Sequence, residues 1–118
     1  MNIVVYNFFQ ESAETISEFL EIVNSSVFFA VSFQDLLRIC TEHKIDMVII
    51  KLDEKKIKLL LDLMIHFNSI KFVVPDYLKP AIPYQNVTFF SEKSSLALIG
   101  KKIIKKKGEI YYETFMFI

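Results

Sequence analysis

Short apolar runs alternate along the chain with segments whose apolar residues recur at helical spacing. The first run, NIVVYNFF at 2–9, is rich in β-branched and aromatic residues and predicts a strand. The segment after it predicts an amphipathic helix, because its apolar residues recur every three or four positions. These inward positions are Ile16, Phe19, Leu20 and Val23.

The same alternation is repeated twice. SSVFFAV at 25–31 predicts a second strand, and the helix after it has its apolar face at Phe33, Leu36, Leu37 and Cys40. DMVIIKL at 46–52 predicts a third strand, continuously apolar as expected of a central parallel strand. Asp53 is suited to cap the next helix. The predicted inward positions of that helix are Ile57, Leu60, Leu61, Met64 and Ile65.

Two more strands are predicted at 70–75 and 86–90. The connection between them contains Pro80 and Pro83 and lacks helical periodicity, so we expect the fourth helix to be shortened or absent. A last helix follows, with Leu96, Ile99, Ile103 and Ile104 facing inward. The segment EIYYETFMFI at 109–118 is apolar on both faces and predicts an extra C-terminal strand.

Repeated β-α units of this kind predict a mostly parallel sheet with helices on both sides. We therefore expect an α/β, three-layer, doubly wound fold of the flavodoxin-like kind. The whole chain of 118 residues forms one domain in this interpretation. Residues 1–107 make its core and 108–118 the extra strand.

Composition narrows the function classes. Lys and Arg together number 14, as do Asp and Glu, so no net charge draws the chain towards a polyanion. A single cysteine, the absence of a signal peptide and the absence of an apolar run of about 20 residues predict a cytoplasmic protein without membrane contact. His43 and His66 lack metal-ligand spacing and the two glycines form no phosphate loop, so we predict no metal and no cofactor.

The order of elements and the segment IDMVIIKLD at 45–53 resemble the receiver domain of bacterial response regulators. In that family, an acidic pair after the first strand holds Mg²⁺ and an aspartate ending the third strand accepts a phosphoryl group. A Ser or Thr after the fourth strand and a Lys after the fifth contact that group. The resemblance therefore implies a site at the carboxyl edge of the sheet.

The residues at these positions imply a degenerate receiver that is not an enzyme. The acidic pair falls on Tyr6 and Asn7, and the phosphoryl acceptor on Lys51; the Ser/Thr falls on Pro75, and the Lys on Ser91 with Lys93 two residues later. Neither an ammonium nor a phenol replaces a carboxylate in these roles. The resemblance thus implies a pseudo-receiver that regulates or signals through contacts with other proteins.

The sequence leaves two questions open at this edge. Lys51 either pairs with Asp53 or Glu54 or extends from the strand end into solvent. Asp53 is either a helix cap or a displaced phosphoryl acceptor, and capping is the commoner role.

Two surfaces are candidates for binding. The helix face from Lys101 to Lys107, with Lys101, Lys102, Lys105 and Lys106, is a possible basic patch for nucleic acid, but a solvated helix face is the commoner explanation. The C-terminal strand cannot remain exposed with apolar residues on both faces. It is covered by pairing with the same strand of a second copy, by exchange of the strand between copies or by packing onto a further domain. We expect the first, a homodimer whose interface contains Ile110, Tyr112, Phe115 and Phe117.

Overall fold

A computed structural model describes residues 1–8, 10–82 and 87–104. Its strands are β1 (Asn2–Tyr6), β2 (Ser26–Ala30), β3 (Met47–Ile50), β4 (Lys71–Pro75) and β5 (Val87–Phe90). Its α-helices are α1 (Ala13–Val23), α2 (Phe33–Glu42), α3 (Ile57–His66) and α4 (96–104). Short 3₁₀ helices span Glu54–Lys56 and Asp76–Ala81. The sequence therefore predicted the type and order of these elements correctly, including the shortened fourth helix.

The strands form one parallel sheet in the order β2-β1-β3-β4-β5. This order is that of flavodoxin-like folds, so the predicted fold class is confirmed. The strand order reverses direction between β1 and β3, which makes their carboxyl ends the switch point of the sheet. The predicted C-terminal strand at 108–118 lies outside the described residues.

The chain divides into two compact units. The sheet unit comprises Met1–Phe9 and Ser25–Lys93, and the helical unit comprises Gln10–Asn24 and the chain from Ser94 onward. In the sheet unit, one apolar cluster joins a face of the sheet to α2 and α3. The helix side chains in this cluster are Leu36, Ile39, Cys40, Leu60, Leu63 and Met64.

The central strand β3 is buried on both faces, as its unbroken apolar sequence predicts. Val48 and Ile50 belong to the cluster with α2 and α3, and Met47 and Ile49 point to the opposite face. Each of the four is 4% exposed or less. Burial at this level stabilises the fold by about 1.5–3 kcal/mol for each large side chain.

Three predicted inward positions on the helices are wrong. Leu20, Leu37 and Ile65 are 40%, 36% and 62% exposed. Ile39 and Leu63 are buried instead. In α2 and α3 the buried residues follow an i, i+3, i+4 pattern, and a residue one position away is rotated by about 100° out of that stripe. These helices therefore have more apolar residues than the narrow stripe that packing buries.

Two side chains cap the start of α2. Ser32 Oγ accepts the N–H of Asp35 at 3.0 Å, and Asp35 Oδ2 accepts the N–H of Val31 at 3.0 Å. The Val31 N–H and then the Arg38 guanidinium lower the pKa of Asp35. The carboxylate thus satisfies a donor ahead of the helix and stays charged there.

The helical unit contains α1 and α4 side by side. The N–H of Leu96 donates to Glu11 Oε1 at 2.9 Å, so a distant side chain caps the start of α4. Further along both helices, Lys101 Nζ lies 3.3 Å from Glu18 Oε1. Since these contacts advance in the same direction, the two helices run parallel.

Gly100 lies where the two helices approach each other closely. A Cβ atom at this position would stand 2.9 Å from Cδ1 and 3.3 Å from Cε1 of Phe19, whose side chain is 0% exposed. A buried aromatic ring has little room to move away. The glycine therefore sets the helix spacing in this unit.

We predict that Gly100→Ala destabilises the protein by about 1–3 kcal/mol, because overpacking against Phe19 outweighs the gain in helix propensity of about 1 kcal/mol. Urea unfolding followed by circular dichroism measures this change. Leu98→Ala is the matched control, since Leu98 lies on the same helix and is 54% exposed; its effect should stay within about 0.5 kcal/mol. A stabilised Gly100→Ala variant would show that the two helices are not in close contact.

Candidate functional site

The carboxyl ends of β1 and β3 bring Tyr6, Asn7 and Lys51 together. Tyr6 is in register with Ile50, and the N–H of Lys51 donates to the Tyr6 carbonyl at 3.2 Å. The side-chain Nδ2 of Asn7 donates to the Lys51 carbonyl at 2.8 Å. Asn7 has a φ of 69°, in the left-handed region that asparagine tolerates better than most residues. One amide side chain thus ties the ends of the two strands together.

The Lys51 side chain contacts an aromatic ring. Its Nζ lies 5.9 Å from the centroid of the Phe8 ring, and the Phe8 ring in turn packs at a tilt against that of Phe90, with 6.0 Å between centroids. Of the two roles that the sequence leaves open for Lys51, the ion pair with Asp53 or Glu54 is not formed, because no ion pair among the described residues joins either carboxylate to the ammonium. A cation over an aromatic face contributes about 0.5–1 kcal/mol at an accessible site. Lys51 is half-buried in this position.

Asp53 acts as a cap. Its Oδ1 accepts the N–H of Lys55 at 3.1 Å, at the start of the 3₁₀ helix that leads directly into α3. The capping role predicted from the sequence is confirmed. The carboxylate satisfies a backbone donor that would otherwise have no partner at a helix start.

Tyr77 reaches back to the same edge from the connection after β4. Its hydroxyl donates a short hydrogen bond to the carbonyl of Leu52, a residue that is itself buried. Burial raises the pKa of Tyr77, and the negative charges of Asp53, Glu92 and Glu54 raise it further. The phenol is therefore a neutral hydrogen-bond donor at physiological pH and holds the chain that follows β3.

The remaining receiver-like positions lie at the ends of β4 and β5. Pro75 is buried and in register with Phe90, so Ser91 follows at the neighbouring strand end. Ser91 is exposed, and its Oγ accepts the N–H of Lys93 at 3.4 Å within a turn. Pro75 offers no hydroxyl and no N–H to a phosphoryl oxygen. These side chains border the edge without forming a phosphate-binding set.

The residues present do not fit the Mg²⁺ that a receiver-like site would hold. Magnesium prefers carboxylate oxygens and water. Asn7 uses its amide nitrogen on Lys51, the Tyr6 ring packs edge-on against Phe33 at 6.4 Å, and the Lys51 ammonium adds positive charge. In the described part of the chain, no three His, Cys, Asp or Glu residues are grouped so as to hold a metal ion.

Other candidate residues have structural surroundings. Cys40 is 6% exposed, and burial raises the pKa of its thiol to about 11, so the thiolate is scarce at neutral pH. His43 and His66 lie at the C-terminal ends of α2 and α3. Lys101 of the basic patch pairs with Glu18, while Lys105 and Lys106 lie outside the described residues.

Sequence reasoning missed Phe8 and Tyr77. The apolar run at 2–9 predicts that Phe8 belongs to the first strand, but β1 ends at Tyr6 and Phe8 packs beyond it. The connection that contains Tyr77 has no periodicity that marks this residue. A phenol within a connection next to a strand end is a signal for a buried hydrogen bond, because a hydroxyl near apolar residues needs a partner.

Comparisons of the chain with protein-family models, with curated proteins and with solved structures find no match. None of the helices among the described residues is long and apolar enough to cross a membrane.

We predict that Asn7→Ala destabilises the protein by about 2–3 kcal/mol. The variant loses the hydrogen bond to Lys51, worth about 1 kcal/mol, and places a Cβ-bearing residue without a polar side chain at a positive φ, which costs about another 1–2 kcal/mol. Asn7→Gly is the matched control, because glycine accepts this φ and loses only the hydrogen bond. Chemical unfolding of both variants should rank glycine above alanine, and the reverse order would contradict this geometry.

We also predict that Tyr77→Phe lowers stability at pH 7 by about 1 kcal/mol, because the Leu52 carbonyl loses its donor. The pKa of Tyr77 is raised in the folded state, so its contribution is present below the unfolded pKa of about 10 and is lost as pH rises through the folded pKa. The stability difference between the wild type and the variant should therefore shrink above about pH 10. Urea unfolding across this range measures it, and a constant difference would contradict the assignment.

Proposed function

We propose that this chain is a non-catalytic, receiver-like regulatory domain that acts through contacts with protein partners and is not phosphorylated in the usual way. The strand order supports the receiver-like part, because flavodoxin-like sheets place their functional residues at the carboxyl edge. Fold alone does not determine function, so the proposed regulatory role depends on the residues at the carboxyl edge.

The hydrogen bond from Asn7 to the Lys51 carbonyl is the observation that carries the proposal. It joins the two positions at which a receiver would bind metal and accept a phosphoryl group. The ammonium of Lys51 lies against Phe8 beside this bond. The groups at the edge are thus engaged with one another, which favours one fixed conformation over a phosphorylation-dependent switch.

The two alternative functions have weaker support. Asp53 as a displaced phosphoryl acceptor would have to give up its hydrogen bond to the Lys55 N–H. A nucleic-acid-binding face on α4 would compete with the ion pair between Lys101 and Glu18. Binding to DNA gains free energy when several protein cations release counterions from the phosphates, and the pairing of Lys101 with the Glu18 carboxylate reduces that gain.

Partner binding is supported by apolar side chains that the fold leaves exposed. Val31, Ile65 and Leu98 are 72%, 62% and 54% exposed. In the C-terminal segment, which lies outside the described residues, Ile110, Tyr112, Phe115 and Phe117 add an apolar sequence suited to a protein contact.

The test is incubation with Mg²⁺ and a small phosphodonor, followed by intact-mass measurement. We expect no incorporation, while a receiver domain that retains its aspartate is labelled in the same reaction. We also expect Mg²⁺ with beryllofluoride to leave the melting temperature unchanged. Stoichiometric labelling that disappears in Asp53→Asn would overturn the proposal and identify Asp53 as the acceptor.

A further inference from the structure

The strand β2 is at an end of the sheet formed by the described strands, and β1 is its partner there. The N–H of Ser26 donates to the Met1 carbonyl at 3.1 Å, which shows that Ser26 directs its backbone groups towards β1. Backbone groups alternate along a strand, so Phe28 and Ala30 do the same. The N–H and C=O groups of Val27 and Phe29 therefore point away from the sheet.

The outward-pointing backbone donors of this edge are available only as far as Val31. The N–H of the next outward-pointing residue, Val31, donates to Asp35 Oδ2 at 3.0 Å. The capping carboxylate of α2 thus removes one donor from the edge. Among the described residues, nothing pairs with the outward N–H and C=O groups of Val27 and Phe29, and this alternating pattern fits the backbone of another β-strand.

Nothing on β2 discourages such pairing. Edge strands are usually protected by lysine, proline, a bulge or an inward charge. The segment SSVFFAVS at 25–32 contains no charged residue and no proline, and the Phe29 side chain is 40% exposed. At the opposite edge, by contrast, Lys79 Nζ lies 5.8 Å from the ring of Phe89 on β5.

We propose that β2 pairs antiparallel with β2 of a second copy of this chain, about a twofold axis at Phe28. In this register Val27 lies opposite Phe29 of the other copy, and the outward donors and acceptors of both residues are paired. The strand is therefore complementary to itself. Each pair also joins an aromatic to a β-branched side chain, a favourable cross-strand combination.

The choice of a second copy as occupant follows from charge as well as from register. The chain has a formal net charge of zero, so two copies do not repel each other at long range. An uncharged strand likewise offers nothing to select an acidic or a basic peptide. A twofold axis brings the same surface of each copy together, so a strand that is complementary to itself is suited to such an interface.

This inference goes beyond the proposed function and does not depend on it, because an enzyme could dimerise in the same way. It also differs from the interface that the sequence predicts, which lies at the C-terminal segment. The two interfaces are distinguished by single substitutions in the full-length chain.

The experiment is sedimentation equilibrium of the full-length chain across a concentration series. We expect a monomer–dimer equilibrium whose dissociation constant rises about tenfold or more in Phe29→Lys, since a lysine protects an edge strand. Ile65→Lys is the matched control, because it makes the same kind of change at an exposed apolar residue of α3, and it should leave the constant unchanged. Circular dichroism confirms that each variant is folded.

The register is tested by two double variants. Val27→Lys with Phe29→Lys places like charges opposite each other and should abolish dimerisation, whereas Val27→Glu with Phe29→Lys places opposite charges there and should restore it. A full-length chain that stays monomeric at all concentrations would overturn the proposal and leave this edge to a strand of another protein. A dimer that Phe115→Lys abolishes and Phe29→Lys does not affect would overturn it in favour of the C-terminal interface.

Discussion

The burial of β3 is the constraint on which the rest of the structure depends. Its four side chains are 4% exposed or less, and its backbone pairs with β1 on one side and β4 on the other. The chain must leave this apolar layer at Lys51, whose ammonium cannot be buried alone without a large desolvation cost. The side chain therefore lies over Phe8, while its backbone is bonded to Tyr6 and Asn7. The burial of β3 thus determines where Lys51 and its backbone partners lie at the carboxyl edge.

That edge coincides with the place where this class of fold binds its ligands. The strand order reverses between β1 and β3, and open α/β sheets bind at such a switch point because the loops there separate into a crevice. In this chain three side chains near this edge hold the backbone there: Asn7 bonds to Lys51, Tyr77 to Leu52 and Asp53 to Lys55. Donors and acceptors that satisfy one another in this way favour a rigid edge.

The sequence predicted local features well and distant contacts poorly. Strand and helix types and the Asp53 cap depend on neighbouring residues, and the pattern contains that information. The inward faces of the helices were predicted less well, because adjacent leucines and isoleucines do not reveal which of them the packing covers. Contacts such as Asn7 with Lys51 join residues 44 positions apart. Such pairs depend on strand order and register, which one sequence does not contain.

Dimerisation through β2 and partner binding at the carboxyl edge would use different parts of the sheet. An antiparallel twofold at β2 would extend the sheet away from Lys51, Tyr77 and Glu92, which all belong to the central and β5 side of the sheet unit. The carboxyl edges of the two copies would then face opposite directions, because a twofold axis perpendicular to the sheet reverses strand direction. Each copy would present its own fixed edge to a separate partner. Self-association and partner binding could therefore coexist in one assembly without competing for the same surface.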